Sequence, residues 1–445
     1  MVPDTPATHQ RVAWTDPATV FAGIVNSHAF WLDGGVDATG GWSWVGVGEP
    51  DDRPDVSFAS ASRTGRVPTS PAGPFLGGWV GWESYDAAAL LAGAPARVDA
   101  TAPASAWMRV TRLVAFDHEH RECWLVAEPR EIDAFATEAA GWVERGTASL
   151  ATRPAPAPQR TAEARVAPDR YAELIGDCRA AIRRGDAYQL CLTTRFSVTD
   201  AAAIDPLDVF LRLRAATSSH HGGLIRIGRS ALASASPERF IQVDDDLVRT
   251  SPIKGTRPRG EDRVADDRLA ADLLSSPKER AENVMIVDLM RNDLQRVCRP
   301  GSVVVEKLLT VESYPAVHQL VSTVVGTLDP GTAFADLLSA TFPAGSMTGA
   351  PKLSAMTLLH GLEGAPRGAY AGCFGWVGAD GSAADLAMVI RSVVFHPGGA
   401  YVGAGGGITW LSNADEEVAE VAVKARAPLA ALGASLPPRW AERVR

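Results

Sequence analysis

The chain has 445 residues, 46% of them hydrophobic and 21% charged, with a formal charge of −9. That length suits two or three domain-sized units, or one large two-lobed body, of ordinary soluble composition. The negative charge speaks against a nucleic-acid binder, and no uncharged apolar run approaches the ~20 residues of a membrane span. Five scattered cysteines, Cys123, Cys178, Cys191, Cys298 and Cys373, form neither a disulfide framework nor a C-x-x-C zinc pair, which fits a reducing cytoplasm. The opening MVPDTPATHQ lacks the basic and apolar regions of a signal peptide.

In chain order, HAFWLDGG (28–35) and FLGGWVGWESYD (75–86) are aromatic and glycine-rich, as in strands with close backbone approaches. Residues 107–129 read as a hairpin around a polar turn. The Ala/Pro-rich stretch 151–167 has no apolar periodicity and reads as a linker. It divides an N-terminal lobe, 1–150, from a C-terminal region, 168–435. That region opens with a helix, marked by Tyr171, Leu174, Ile175, Cys178, Ala181 and Ile182 and stopped at Gly185. AYQLCLTTRFSV (187–198) alternates like a strand, and more strands follow through residue 253. Residues 277–297 read as one long helix begun by a proline. Residues 302–328 are β-rich, 331–345 and 349–364 hold helical segments, and strands return from 368 to 395. GAYVGAGGGITWLS (399–412) reads as a strand running into a glycine turn, and a last helix covers 414–431. There is no internal repeat. The mixed order of elements predicts an α+β fold with large, mostly antiparallel sheets.

Three places could carry chemistry. Lys254 stands in SPIKGTRPRG (251–260), just after a predicted strand. On composition alone it reads as a solvated loop charge. Glu279 and Glu282 lie one turn apart on a helix face that continues through Ile286 and Leu289. Two carboxylates on a partly apolar stripe repel and resist burial, which a divalent cation would resolve. The alternative is that they reach solvent or pair with Lys278 or Arg280. On the last helix Glu417, Glu420 and Lys424 again share a face. They are either an ordinary surface ion pair or a second metal carboxylate beside a cation for substrate. Gly405, Gly406 and Gly407 just upstream would let the backbone approach an anion. FPAGSMTGAPK (342–352) lacks the Gly-Lys-Ser/Thr ending of a phosphate loop, so no nucleotide site is expected there.

Taken in order, GDAYQLCLTTRF, ASPERF, SPIKGT, KERAENVMIVDLMRNDL, FPAGSMTGAPK, YAGCFGW, IRSVV and GAGGGI…EEVAEVAVKA resemble the chorismate-utilising enzymes. These include anthranilate synthase component I, aminodeoxychorismate synthase component I, and the isochorismate and salicylate synthases. The resemblance covers essentially the whole chain and is densest from 168 to 430. It implies two large β-sheets packed together and flanked by helices, with chorismate and Mg²⁺ in a cleft. By that match Glu282 and Glu420 are the metal ligands, and Glu279 and Glu417 a nearby acidic shell. Arg391, Tyr370 and the Gly405–Gly407 backbone bind the enolpyruvyl carboxylate. Lys424, Ser346, Thr256 and His318 fall at positions around the substrate, although a lone histidine such as His318 is as readily a satisfied structural one.

Within the family two positions separate the chemistries. Isochorismate and salicylate synthases carry a water-activating lysine where this chain has Gln189, and a neutral amide cannot be that base. Ammonia is therefore the implied nucleophile. Anthranilate synthases typically carry alanine at the position of Lys254, whereas the lysine form resembles aminodeoxychorismate synthase component I. There Lys254 would be a covalent nucleophile, its neutral amine favoured by desolvation and nearby positive charge, and Glu238 of ASPERF the general acid. No glutaminase signature is found, so the resemblance implies ammonia from a separate glutamine amidotransferase subunit. No lyase region follows, so 4-aminobenzoate, the folate precursor, would need another protein. AFWLDGG differs from the Leu-Leu-Glu-Ser of tryptophan-inhibited relatives, and tryptophan inhibition is not expected.

Overall fold

The computed structural model describes residues 7–58, 70–152, 160–199, 204–217, 219–314 and 317–444. The first part of the chain forms β1 (Thr8–Val12), α1 (Pro17–Ala22), β2 (His28–Asp33), β3 (Trp42–Asp51), β4 (Gly78–Glu83), α2 (Tyr85–Leu91), β5 (Ser105–Asp117), β6 (Glu122–Ala127) and α3 (Ile132–Ala151). Of the expected linker, 153–159 lie outside the described residues; the short β7 (Arg160–Thr161) and β8 (Glu163–Ala164) follow. Next come α4 (Pro168–Arg184), β9 (Gln189–Thr199), α5 (Pro206–Ala216), β10 (His221–Ile227), β11 (Ser230–Ser236), β12 (Arg239–Asp244), β13 (Leu247–Thr250), β14 (Ile253–Pro258), α6 (Arg263–Ser275), α7 (Pro277–Gln295), β15 (Val304–Ser313) and β16 (Val317–Thr327). The chain continues through α8 (Phe334–Thr341), α9 (Gly345–Thr348), β17 (Gly349–Ala350), α10 (Lys352–Glu363), β18 (Cys373–Gly378), β19 (Ala383–Met388), β20 (Ser392–His396), β21 (Gly399–Ile408), α11 (Ala414–Ala431), β22 (Ala434–Ser435) and α12 (Pro438–Ala441).

All described strands but β7 and β22 belong to one antiparallel network, in which β5 is the join. One arm runs from β6 and β5 through β3, β2, β10, β11, β20 and β21 to β9. The other leaves β5 through β4, β18, β19, β12 and β13 to β16, which carries β14 and β15 on its two edges. The fold is thus α+β, a large antiparallel sheet system flanked by helices.

Period-two alternation assigns each strand face to a different core. Along β2, Phe30 and Leu32 join one apolar cluster with β4, β18, β19 and α7, whereas Ala29 and Trp31 join a second with α1, α3, α4, α5 and α11. The two arms therefore carry different helices. α7 packs on β14, β15 and β16, and α11 packs on β21, α4 and α5. Both helices begin where the sequence places a cap. Ser276 accepts from the Glu279 N–H ahead of Pro277, and Asn413 accepts from the N–H groups of Asp415 and Glu416. α4 ends at Gly185 with φ 85°, the left-handed stop expected of glycine.

Candidate active site

Four segments bring their charged side chains together at one place. β14 brings Lys254, α7 brings Glu279 and Glu282, α11 brings Glu417, Glu420 and Lys424, and the turn between β11 and β12 brings Glu238. α7 is held in register by buried Asn283, which donates to the Leu320 carbonyl at 3.1 Å and accepts from the Ser322 hydroxyl at 2.6 Å. Next to Lys254, Gly255 has φ +83°, and a Cβ there would lie 2.9 Å from Glu279 Oε2. Glycine thus sets both the turn of the chain and the closeness of Glu279.

The groups at this site perturb one another. Glu282 is 7% exposed, its Oε1 has no hydrogen-bond partner, and burial pushes its carboxyl up to about 7 despite Lys254 and Lys278 nearby. Burial also raises the Glu238 carboxyl, with Lys254, a hydrogen bond with Ser346 and Lys424 pulling it back. A raised carboxyl holds its proton longer, as a general acid requires. Lys254 is partly buried. Burial lowers its ammonium, but Glu282, Cys191, Glu238 and Glu420 outweigh that and hold it above its ordinary range. Desolvation and nearby positive charge would favour the expected neutral amine; here the ring of carboxylates favours the charged form.

The second carboxylate pair is already engaged. Glu417 Oε1 is 3.1 Å from Lys278 Nζ, and Glu420 Oε1 is 2.5 Å from Lys424 Nζ. Lys424 also donates to the Gly405 carbonyl at 3.0 Å, tying α11 to β21. Lys424 foremost, with Lys278 and Lys254, holds the Glu420 carboxyl below its usual range. Among the described residues no three or more His, Cys, Asp or Glu side chains converge into a ready metal cluster. The unpartnered, buried oxygen of Glu282 and the all-carboxylate donor set nevertheless fit a hard divalent cation.

Gln189, Tyr370, Arg391 and the glycines line the adjoining wall. Gln189 is 1% exposed and its Oε1 is unpartnered. Arg391 has φ +52° and makes no ion pair among the described residues; burial lowers its pKa. The glycine segment departs from the expected turn, since Gly405, Gly406 and Gly407 lie inside β21, paired with Thr193, Leu192 and Cys191 of β9. The turn comes later, beyond Ile408. Backbone pairing overrides the local preference of glycine, and the missing side chains make room for neighbours. A Cβ on Gly407 would lie 2.3 Å from Gln189 Nε2, one on Gly406 would lie 3.0 Å from Glu417 Oε2, and the Tyr370 ring covers Gly403. Past Tyr401, no described strand pairs with the far edge of β21.

Two candidates stand apart. His318 is buried, with Nδ1 2.8 Å from the Ser313 hydroxyl and Nε2 2.9 Å from Asp266, so both ring nitrogens are engaged within the protein. Thr256 is exposed on β14. Three other residues belong to the site or its frame: Cys191 and Arg367, to which the sequence assigns no role, and Lys278, expected only as a partner for Glu279 and Glu282. Cys191 is buried two positions after Gln189, a spacing that puts both on one strand face. Lys278 bridges to Glu417. Arg367 donates to the Cys191 carbonyl at 2.8 Å and the Met347 carbonyl at 2.7 Å while paired with Glu363, which fixes the wall behind Ser346. Lys352 of the GAPK sequence does not meet a ligand; its ammonium pairs with buried Asp293 at 2.6 Å and joins α10 to α7.

A family model described as chorismate binding enzyme matches residues 14–430. An aminodeoxychorismate synthase of Streptomyces pristinaespiralis is 40% identical over 80% of this chain and 50% of its own length. Anthranilate synthase component 1 of Streptomyces coelicolor is 38% identical over 82% of this chain and 74% of its own length. The chain thus spans about half the length of the first of these relatives. The crystal structure of anthranilate synthase component I from Streptococcus pneumoniae TIGR4 superposes with a TM-score of 0.69 at 28% identity, covering 96% of this chain and 92% of that one. With a family model spanning most of its length and the matching sheet architecture, the chain belongs to the chorismate binding enzyme family.

Proposed function

We propose that the chain is aminodeoxychorismate synthase component I, converting chorismate and ammonia to 4-amino-4-deoxychorismate. The observation that carries this reading is Lys254, partly buried among Glu238, Glu282 and Glu420 rather than solvated. The reaction replaces the C4 hydroxyl by an amine with position and stereochemistry retained, which two successive displacements accomplish. The Lys254 ammonium first passes a proton to a neighbouring carboxylate, and the neutral amine then bonds to C2 as the two ring double bonds shift and the C4–O bond breaks. Glu238 gives its proton to that oxygen, which leaves as water. Ammonia then bonds to C4, and the C2–N bond breaks with its electron pair returning to Lys254. Gln189 lines this wall without offering a base that would make water the nucleophile.

Arg391 and Tyr370, with the Gly405–Gly407 backbone of β21, would bind the enolpyruvyl carboxylate, and an unpaired guanidinium suits a carboxylate in two places. Mg²⁺ held by Glu282 and Glu420, with Glu279 and Glu417 beside it, would bind the ring carboxylate of chorismate and draw electron density from the ring. Ammonia would come from a separate glutamine amidotransferase subunit, and the product would serve 4-aminobenzoate and folate synthesis in the cytoplasm.

A second reading, anthranilate synthase component I, is favoured by the relative of that name at nearly equal identity. A third, chorismate binding without turnover, predicts no product. One assay separates all three. Chorismate, Mg²⁺ and ammonium are incubated with the protein and products are resolved by mass spectrometry, with and without an added aminodeoxychorismate lyase. The proposal predicts aminochorismate that the lyase converts to 4-aminobenzoate. Fluorescent anthranilate, or unchanged chorismate, overturns it.

A further inference from the structure

The helices that carry the four glutamates belong to different arms of the sheet. α7 rests on β14, β15 and β16, and α11 rests on β21, α4 and α5. The ion pair that joins them is Lys278 with Glu417, at 3.1 Å. Glu417 is buried, with 3% of its side chain exposed, and Lys278 reaches it from a side chain that is 37% exposed. The Lys278 ammonium also lies within electrostatic reach of Glu282 and Glu420, so one cation serves three of the four carboxylates.

We propose that Lys278 is a positioning residue, an internal counter-ion that holds Glu417 of α11 against α7 and occupies the acidic site in competition with a divalent cation. The inference rests on the cation reading given above and concerns only what this chain's own lysine does to it. A buried carboxylate deprived of its partner is costly, and a bound cation relieves that cost. Removing the ammonium therefore destabilises the cation-free protein. It also strengthens cation binding, because the ion no longer shares Glu417 with a fixed positive charge and stabilises only the folded state.

The test uses the full chain without chorismate. Mn²⁺ binding is followed by electron paramagnetic resonance, and melting is followed with and without Mg²⁺, for the parent, Lys278→Met and Lys278→Arg. The expected result is that Lys278→Met melts below the parent without divalent ions, binds Mn²⁺ about tenfold more tightly, and gains a larger Mg²⁺-induced rise in melting temperature. Lys278→Arg, which keeps the charge, behaves like the parent. If Lys278→Met does not fold without divalent ions, its recovery by Mg²⁺ supports the inference, and its failure to recover overturns it. Equal or weaker Mn²⁺ binding by Lys278→Met, with the parent binding normally, overturns this inference alone. Absence of Mn²⁺ binding by the parent overturns it together with the cation reading on which it rests.

Discussion

The glutamate–lysine site and the space between the two arms of the sheet are opposites in design. Between the arms lies a cavity of about 1160 Å³, lined in part by Trp42, Trp44, Trp376, Arg239 and Asp385. Two ion pairs stand on its wall, Arg239 with Asp385 through two bonds of 3.1 Å and Asp33 with Arg214 at 2.7 and 3.1 Å. The acidic site instead holds a buried unpartnered carboxylate oxygen, an unpartnered amide oxygen and a lysine ringed by acids. Volume alone does not locate chemistry; unsatisfied polar groups that shift one another's protonation do.

Substitutions on the two sides sharpen that contrast. The largest effect is expected at Glu238. Glu238→Gln keeps shape and removes the proton donor, and steady-state kinetics should show kcat falling by about 10²–10⁴-fold. A loss of less than about fivefold would remove Glu238 from the acid role.

Gly407→Ala comes next. Its Cβ would meet Gln189 Nε2 at 2.3 Å, the movable end of a side chain, so the fold should survive while the amide is displaced. Saturation with ammonium should then need about tenfold more of it, because small displacements at a reacting centre are expensive. An unchanged ammonium dependence would mean that Gln189 is not at the nucleophile's approach.

Glu282 predicts a pH effect. Its carboxyl is raised from 4.5 to about 7 by burial, so the folded protein favours the protonated form. The stability this supplies is fully present below about pH 4.5 and is lost as the pH rises through about 7. Without divalent ions, the melting temperature of the parent should therefore fall relative to Glu282→Gln between pH 5 and 7.5. Parallel curves for the two proteins would contradict the buried, unpaired placement. The smallest effect belongs to the cavity. Gln242→Met on its wall should leave kcat within about threefold of the parent, and a larger loss would break the contrast.

Much of this site is legible in the sequence because the helices that carry it announce themselves. Pro277 and the Ser276 cap begin α7, Asn413 begins α11, and the glutamates recur at helical spacing. α6 is not legible: across Arg263–Ser275 only Leu273 is buried, so no apolar stripe marks it. The strand conformation of Gly405–Gly407 is imposed by pairing with β9, which lies more than 200 residues earlier in the chain, and no local rule anticipates it. The partner of Lys278 and the place of Cys191 were hidden for a related reason. Their neighbours are Glu417, 139 positions away, and Lys254 on another strand. His318 shows the converse. Its motif placed it near substrate, but whether a histidine is free or satisfied depends on Ser313 and Asp266, which only the folded chain brings to it.

The covalent role of Lys254 is the claim on which the functional reading turns. Protein incubated with chorismate and Mg²⁺ but without ammonium, then quenched and weighed intact, should carry an added mass of chorismate less water on the peptide containing Lys254. Lys254→Ala should carry none and should form aminochorismate at least about 10³-fold more slowly when ammonium is supplied. Aminochorismate formation at the parental rate by Lys254→Ala would contradict the account.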